Sequence, residues 1–260
     1  MEIKNITFAY DDNITRLYHI SEKIEKGKIT TIIGPNGCGK STLMSVLTKM
    51  NAPKEGQIIL DGKILNDYKP KELARTLGVV HQQNFAPADL TIEKLVYYGR
   101  LPYKRAFAPN SEQDAEKVAW ALKNTGLYDV RHKPIDTLSG GQQQRAWIAL
   151  ALAQDTPYLF LDEPTSNLDI YYQYEILELV KRLCHEHGLT IVMVLHDINQ
   201  AIQYSDKIIA MKDGKVVSRG RPKEIITKTL IQEVYGIQVI VKEDQDFGKY
   251  IVPVGISSSV

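Results

Sequence analysis

Nine consecutive residues constrain this chain more than any others: Gly34-Pro35-Asn36-Gly37-Cys38-Gly39-Lys40-Ser41-Thr42. They satisfy G-x-x-x-x-G-K-[ST], which is a phosphate-binding loop when a strand precedes it and a helix follows. Both flanks are present: Ile29–Ile33 is rich in β-branched residues, and Gly39–Met50 carries Leu43, Val46, Leu47 and Met50 at helical spacing. The glycines let successive backbone N–H groups turn toward phosphate oxygens, and the helix points its positive end at the same anion. In this arrangement Lys40 reaches the β- and γ-phosphates, and the Ser41 hydroxyl is placed to ligate Mg²⁺. The loop therefore predicts a nucleoside-triphosphate site in an α/β fold.

The rest of the chain supplies that fold. Ile3–Phe8 reads as a strand, and Gln57–Leu60 with Ile64–Leu65 as a hairpin around Asp61-Gly62. Thr91–Asn124 is helical in pattern but broken at Pro102 and Pro109, and Ser139 caps a long helix over Gly140–Gln154. The strand Tyr158–Leu161, the helix Tyr171–Glu186 and the strand Thr190–Leu195 follow. This alternation predicts a parallel sheet with helices on its faces, and residues 84–155 form a helical insertion. Ile208–Met211 and Lys215–Ser218 make a second hairpin around Asp213-Gly214, Gly220–Gly236 is a helical tail, and the last stretch, ending Ile256-Ser257-Ser258-Ser259-Val260, is expected to fray.

Tyr158–Leu161 runs into two acids, Asp162 and Glu163. A buried strand that delivers Asp162 at its C-terminal edge suits a Mg²⁺ ligand beside a phosphate loop. Glu163 points the other way on the strand alternation and is placed to accept a proton from an attacking water.

Composition narrows the class. A net charge of +1 lacks the broad basic surface of most nucleic-acid binders. The two cysteines, Cys38 and Cys184, have no metal-type spacing and fit a reducing compartment. Met1–Asn5 leads straight into a strand without signal-peptide features, and runs such as Trp147–Ala153 fall short of the roughly 20 residues that cross a bilayer. Work at a membrane would have to proceed through another protein.

Leu138-Ser139-Gly140-Gly141-Gln142, taken in order with the loop and the carboxylates, closely resembles the signature of ATP-binding-cassette (ABC) ATPases. The resemblance covers nearly the whole chain. It implies an α/β fold: a RecA-like P-loop NTPase core with an antiparallel β subdomain (residues 1–83 and 156–235), an inserted helical subdomain (84–155) and a C-terminal extension (236–260). It also implies that Tyr10 stacks on adenine and that Gln82 senses Mg²⁺ and the permease, although His81 and Gln83 leave a one-residue ambiguity in that position. Ser166-Asn167-Leu168-Asp169 is similar to the loop that crosses the dimer interface, and His196 matches the switch histidine that contacts the γ-phosphate. The implied assembly is a head-to-tail dimer, each ATP lying between Gly34–Thr42 of one copy and Ser139–Gln142 of the other. Cys38 departs from the family, which more often has Ala or Ser there. Two readings stand: a thiol at a helix N-terminus with a lowered pKa, or a harmless small residue.

The stretch between Gln82 and Leu138 accommodates a compact helical subdomain and no coiled-coil arm; a single cassette is present and no transmembrane half is fused to it. This pattern resembles the separate ATPase subunit of a prokaryotic importer, peripheral on the cytoplasmic face of the membrane, partnered by permease subunits and indirectly by a substrate-binding protein. Leu95–Tyr103, and Val234-Tyr235-Gly236-Ile237 with Gly248-Lys249, are similar to ATPases for iron(III)-siderophore, haem and cobalamin uptake. The alternative class is a soluble, non-transport ABC ATPase acting on nucleic acid or ribosomes. Tyr97–Phe107, where aromatics interleave with Arg100, Lys104 and Arg105, has two corresponding readings: a single-strand-binding patch, or a surface that packs inward or receives a permease helix.

Overall fold

In a computed structural model, residues 1–10, 15–104, 111–245 and 248–256 are described. The chain forms two compact units, Met1–Asp67 with Val192–Val260, and Tyr68–Ile191. The first begins with β1 (Glu2–Ala9), β2 (Thr15–Lys23), β3 (Ile29–Ile33), α1 (Lys40–Leu47), β4 (Glu55–Leu60) and β5 (Lys63–Ile64). The second holds α2 (Pro70–Leu73), β6 (Leu77–Val80), α3 (Ile92–Tyr97), α4 (Glu112–Asn124), α5 (Gly140–Ala153), β7 (Tyr158–Asp162) and α6 (Ile170–His187). β8 (Thr190–Val194) returns the chain to the first unit, followed by α7 (Ile198–Tyr204), β9 (Lys207–Lys212), β10 (Lys215–Gly220), α8 (Pro222–Ile225), α9 (Lys228–Tyr235), β11 (Ile237–Asp244) and β12 (Gly248–Ile256).

In the first unit an antiparallel sheet runs in the order β2-β1-β4-β5, with Ile3 opposite both Glu22 and Ile58. A second set runs β10-β9-β3-β8. β3 is parallel to β9, with Ile32 opposite Ile209, and is buried at every residue. Unbroken burial of this kind reads as a continuous β-branched run rather than an alternation, which is why Ile29–Ile33 was predictable to the residue.

In the second unit β6 and β7 are parallel, with Val80 opposite Leu161. α5 packs against α3 and α4 through an apolar face that includes Ala146, Ala149 and Ala153. The interior of this unit also holds an ion pair. Arg100, 2% exposed, donates from Nε to Asp114 Oδ1 at 2.8 Å and from Nη1 to the Ala153 carbonyl at 2.8 Å. Its guanidinium also lies 4.0 Å from the centre of the Tyr103 ring. Burial pushes the Asp114 carboxyl up, but its bonds from Arg100 and Ser111 outweigh this and hold it below its ordinary range. Arg100 and Tyr103 are therefore turned inward, whereas Tyr98 and Leu101 of the same stretch are exposed; Arg105 and Phe107 lie outside the described residues.

Several boundaries differ from expectation for local reasons. Pro102 sits inside a 3-10 turn over Tyr98–Tyr103, while Pro109 is outside the described residues. Leu65 opens a 3-10 turn instead of ending a strand. The expected helical tail is two helices, because Pro222 starts α8 and the Thr227 hydroxyl caps α9 by accepting from the Leu230 N–H at 3.1 Å. The last stretch, expected to fray, instead forms an antiparallel pair of strands, Ile237–Asp244 and Gly248–Ile256; 257–260 are outside the described residues.

Candidate functional site

The first unit carries the phosphate loop at the C-terminal end of β3. Gly34 has φ +152, and a Cβ there would lie 2.3 Å from the Met211 carbonyl oxygen and 2.7 Å from Cys38 Sγ, so only glycine fits. Gly37 (φ +79) and Gly39 (φ +103) complete the turn, and Asn36 and Gly37 form its exposed rim. Beneath the rim Lys40 is buried, donating to the carbonyls of Gly34 at 2.9 Å and Pro35 at 3.0 Å. The Cys38 amide donates to the Pro35 carbonyl at 3.3 Å, and the Gly214 amide to the Cys38 carbonyl at 2.9 Å. The Asp213-Gly214 turn thus supports the loop from below, a role its hairpin signature did not reveal.

Ser41 is exposed at the start of α1. The Thr42 and Tyr10 hydroxyls share a hydrogen bond at 3.4 Å. Tyr10 is 59% exposed and meets Phe8 in a T-shaped contact, with ring centres 4.9 Å apart. The Leu195 amide bonds the Ile32 carbonyl at 3.3 Å, which brings the ends of β3 and β8 together and places exposed His196 beside the strand that delivers Gly34.

Cys38 corrects one of the two readings given to it. It is 3% exposed, and burial raises its thiol pKa more than the neighbouring Lys40 lowers it. The low-pKa thiol is therefore excluded. Cys38 serves as a small residue filling the space beside Gly34.

The second unit gathers the other polar residues. Because Val80 pairs with Leu161, Gln82 and Glu163 emerge side by side two residues later, and Gln82 Nε2 donates to Glu163 Oε2 at 2.6 Å. His81 uses its carbonyl to accept from Asn84 Nδ2, also at 2.6 Å. Asp162 ends β7, half-buried. The backbone of Glu163 is left-handed at φ 52, so this turn, and not strand alternation, sets its direction.

Ser139 opens α5 with a reciprocal cap: Gln142 N–H donates to Ser139 Oγ at 3.4 Å and Ser139 N–H to Gln142 Oε1 at 3.1 Å. Ser139 and Gly140 remain exposed, whereas a Cβ on Gly141 would lie 2.7 Å from the Tyr172 ring. Leu168 approaches Gly140, Gln173 Nε2 binds the Leu168 carbonyl at 2.8 Å, and Asp169 begins α6 exposed, without capping it.

This geometry suits polyphosphate. In the first unit a glycine rim lies over the buried Lys40 ammonium at the start of a helix, an arrangement that receives anions. No helix among the described residues is long and apolar enough to cross a membrane.

A family model described as "ABC transporter" matches residues 17–166. The chain is 44% identical to the ferric enterobactin transport ATP-binding protein of Escherichia coli (strain K12), over 97% of this chain and 93% of that one. It is 40% identical to the iron(3+)-hydroxamate import ATP-binding protein of Bacillus subtilis (strain 168), over 94% and 90%. Among solved structures, an inward-facing putative metal-chelate type ABC transporter matches with a TM-score of 0.85 at 26% identity, covering 97% of this chain and 96% of that one. A dimeric ATP-binding cassette bound to ADP and Pi after hydrolysis matches at 0.72 and 33% identity, over 85% and 98%. With its RecA-like P-loop core, antiparallel β sheet and helical insertion, this chain is an ATP-binding member of the ABC transporter family.

Proposed function

We propose that the chain is the ATP-hydrolysing subunit of an importer for iron(III)-siderophore complexes or a related iron chelate. One observation carries this reading: relatives at 40–44% identity, matched over at least nine-tenths of both chains, are ATP-binding proteins of ferric enterobactin and iron(3+)-hydroxamate systems. The division into a core of residues 1–83 and 156–235, a helical insert of 84–155 and an extension of 236–260 belongs to the same proposal, as does a peripheral place on the cytoplasmic face of the membrane.

Tyr10 stacks on the adenine. The backbone of Gly34, Pro35, Asn36, Gly37, Cys38 and Gly39, with Lys40, Ser41 and Thr42, holds the phosphates. The oxygen donors Ser41, Gln82 and Asp162 fit Mg²⁺, a hard cation that takes hydroxyl, amide and carboxylate oxygen; when bound it neutralises charge on the phosphates. Glu163, oriented by Gln82, takes a proton from the attacking water, and His196 steadies charge on the γ-phosphate. A second copy supplies Ser139, Gly140, Gly141 and Gln142, with Asp169 at the crossing loop. The exposure of Ser139, Gly140 and Asp169 in the single chain supports that role. Two such half-sites become a dry, preorganised site when ATP bridges them, and hydrolysis separates them, which drives the permease.

Glu163→Gln tests both parts. With this variant as the sole copy, uptake of radioactive iron(III) from its siderophores should disappear, and the purified variant should elute as an ATP-stabilised dimer. Normal iron uptake beside lost ATP turnover would redirect the assignment to another cargo, haem or cobalamin among them. Undiminished turnover would remove Glu163 from the chemistry.

A further inference from the structure

Val234-Tyr235-Gly236-Ile237 and Gly248-Lys249 have no part among the nucleotide-contacting residues, yet together they build one device in the first unit. Gly236, left-handed at φ 69, stops α9 and turns the chain into β11. β12 folds back along it, from Asp244 opposite Gly248 to Ile237 opposite Ile256. Lys249 Nζ donates to the Ile226 carbonyl at 3.2 Å and to that of Lys223 at 2.5 Å, pinning the hairpin to the end of α8.

The decisive contact is at Ile251, buried in the middle of β12. Its amide donates to Asn199 Oδ1 at 2.8 Å, and its carbonyl accepts from Asn199 Nδ2 at 3.1 Å. A carboxamide offers a donor and an acceptor side by side, so Asn199 pairs with the strand edge as a further strand would.

Asn199 lies three residues after His196, on a helix of seven residues whose first turn is closed by Asp197 Oδ1 accepting from the Gln200 N–H at 2.8 Å. A helix that short has little stability of its own, so its direction follows whatever its side chains are tied to. The other end of the same segment reaches the opposite flank. The Tyr235 hydroxyl is buried beside the Gly34 backbone, Cys38 and Asp197 without closing a hydrogen bond of normal geometry.

We propose that Asn199 is a positioning residue for ATP hydrolysis: by bonding α7 to β12, it makes the C-terminal hairpin a brace that fixes His196. The proposal rests on the switch role given to His196. It predicts an effect on turnover and little effect on nucleotide binding, because the phosphate loop is closed by bonds of its own through Lys40, Cys38 and Gly214.

The test uses the purified full chain and compares wild type with Asn199→Asp, His196→Ala and the double variant. Asp keeps the size of Asn but cannot donate to the Ile251 carbonyl. In Asn199→Asp, kcat should fall about tenfold while KM for ATP stays within about twofold. In the His196→Ala background the same change should cost nothing further. Wild-type kcat in Asn199→Asp beside a crippled His196→Ala would overturn the brace alone, even if the melting temperature had dropped. An additive loss in the double variant would overturn it too, since Asn199 would then act by another route. Full turnover in His196→Ala would remove the switch reading and the brace with it.

Discussion

The phosphate loop and the Ser139–Gln142 helix start are both glycine-bearing helix N-termini, but they are finished to different degrees. The loop turns inward: its lysine is buried on its own carbonyls, and its backbone is tied to a neighbouring hairpin. The α5 start turns outward: beyond its own capping box, Ser139, Gly140 and, at the start of α6, Asp169 are exposed. The first is a site that one chain can assemble, and the second is a surface shaped for something to arrive. The difference gives the pair a direction, since a nucleotide would bind the finished half first.

That order can be attacked at each half. The largest effect is expected from Lys40→Ala, which removes the ammonium under the loop: ATP binding should weaken and turnover fall about 100- to 1000-fold, read by equilibrium binding and a phosphate-release assay. Wild-type ATP affinity in that variant would mean that the loop is not the primary site.

Next comes the frame behind the exposed half. Asp114→Ala strips the partner from buried Arg100 and should destabilise the chain by about 3–5 kcal/mol in urea unfolding, far beyond an ordinary surface pair. The pH dependence has a fixed sign. The folded pKa of Asp114 lies below its ordinary 3.8, so its stabilisation is complete above that value. It is lost as the pH falls through the lower, folded value, and the Asp114→Ala variant should lack this component of acid unfolding.

Ser139→Ala sharpens the contrast further. Loss of the cap should cost about 1 kcal/mol of stability. A fall in turnover well beyond what that instability explains would show that the hydroxyl also serves a nucleotide bound to a second copy. The smallest effect belongs to Cys38: with its thiol buried and its pKa raised, alkylation at pH 8 should be slower than for an exposed thiol, and Cys38→Ala should hydrolyse ATP nearly as wild type does. Rapid modification of Cys38 would show that the loop opens more readily than its bonds suggest.

What the sequence made legible follows the range of the interaction. The loop, its strand and its helix are local, and Gly34–Thr42 could be read within a dozen residues. Arg100 with Asp114, and Gln82 with Glu163, were invisible as partners: the first pair spans an interrupted helical stretch, and the second depends on the β6–β7 register, which no local pattern encodes. The C-terminal hairpin was missed although Ile237, Val239, Ile240 and Val241 are β-branched, because a terminal stretch is expected to fray. Asn199 carries no signal at all until Ile251 is placed beside it.

Glu163 shows how far a site can be set against the comfort of its own chain. At φ 52 it occupies a region that L-residues other than Asn and Asp seldom enter, a strain of about 1 kcal/mol or more, and Asn167, four residues on, is left-handed as well. A glycine at 163 would relieve that strain and forfeit the carboxylate. Selection for robustness alone would therefore favour losing the carboxylate; on the role proposed for Glu163, a screen of variants ranked by thermal stability would then select a chain that can no longer use its ATP.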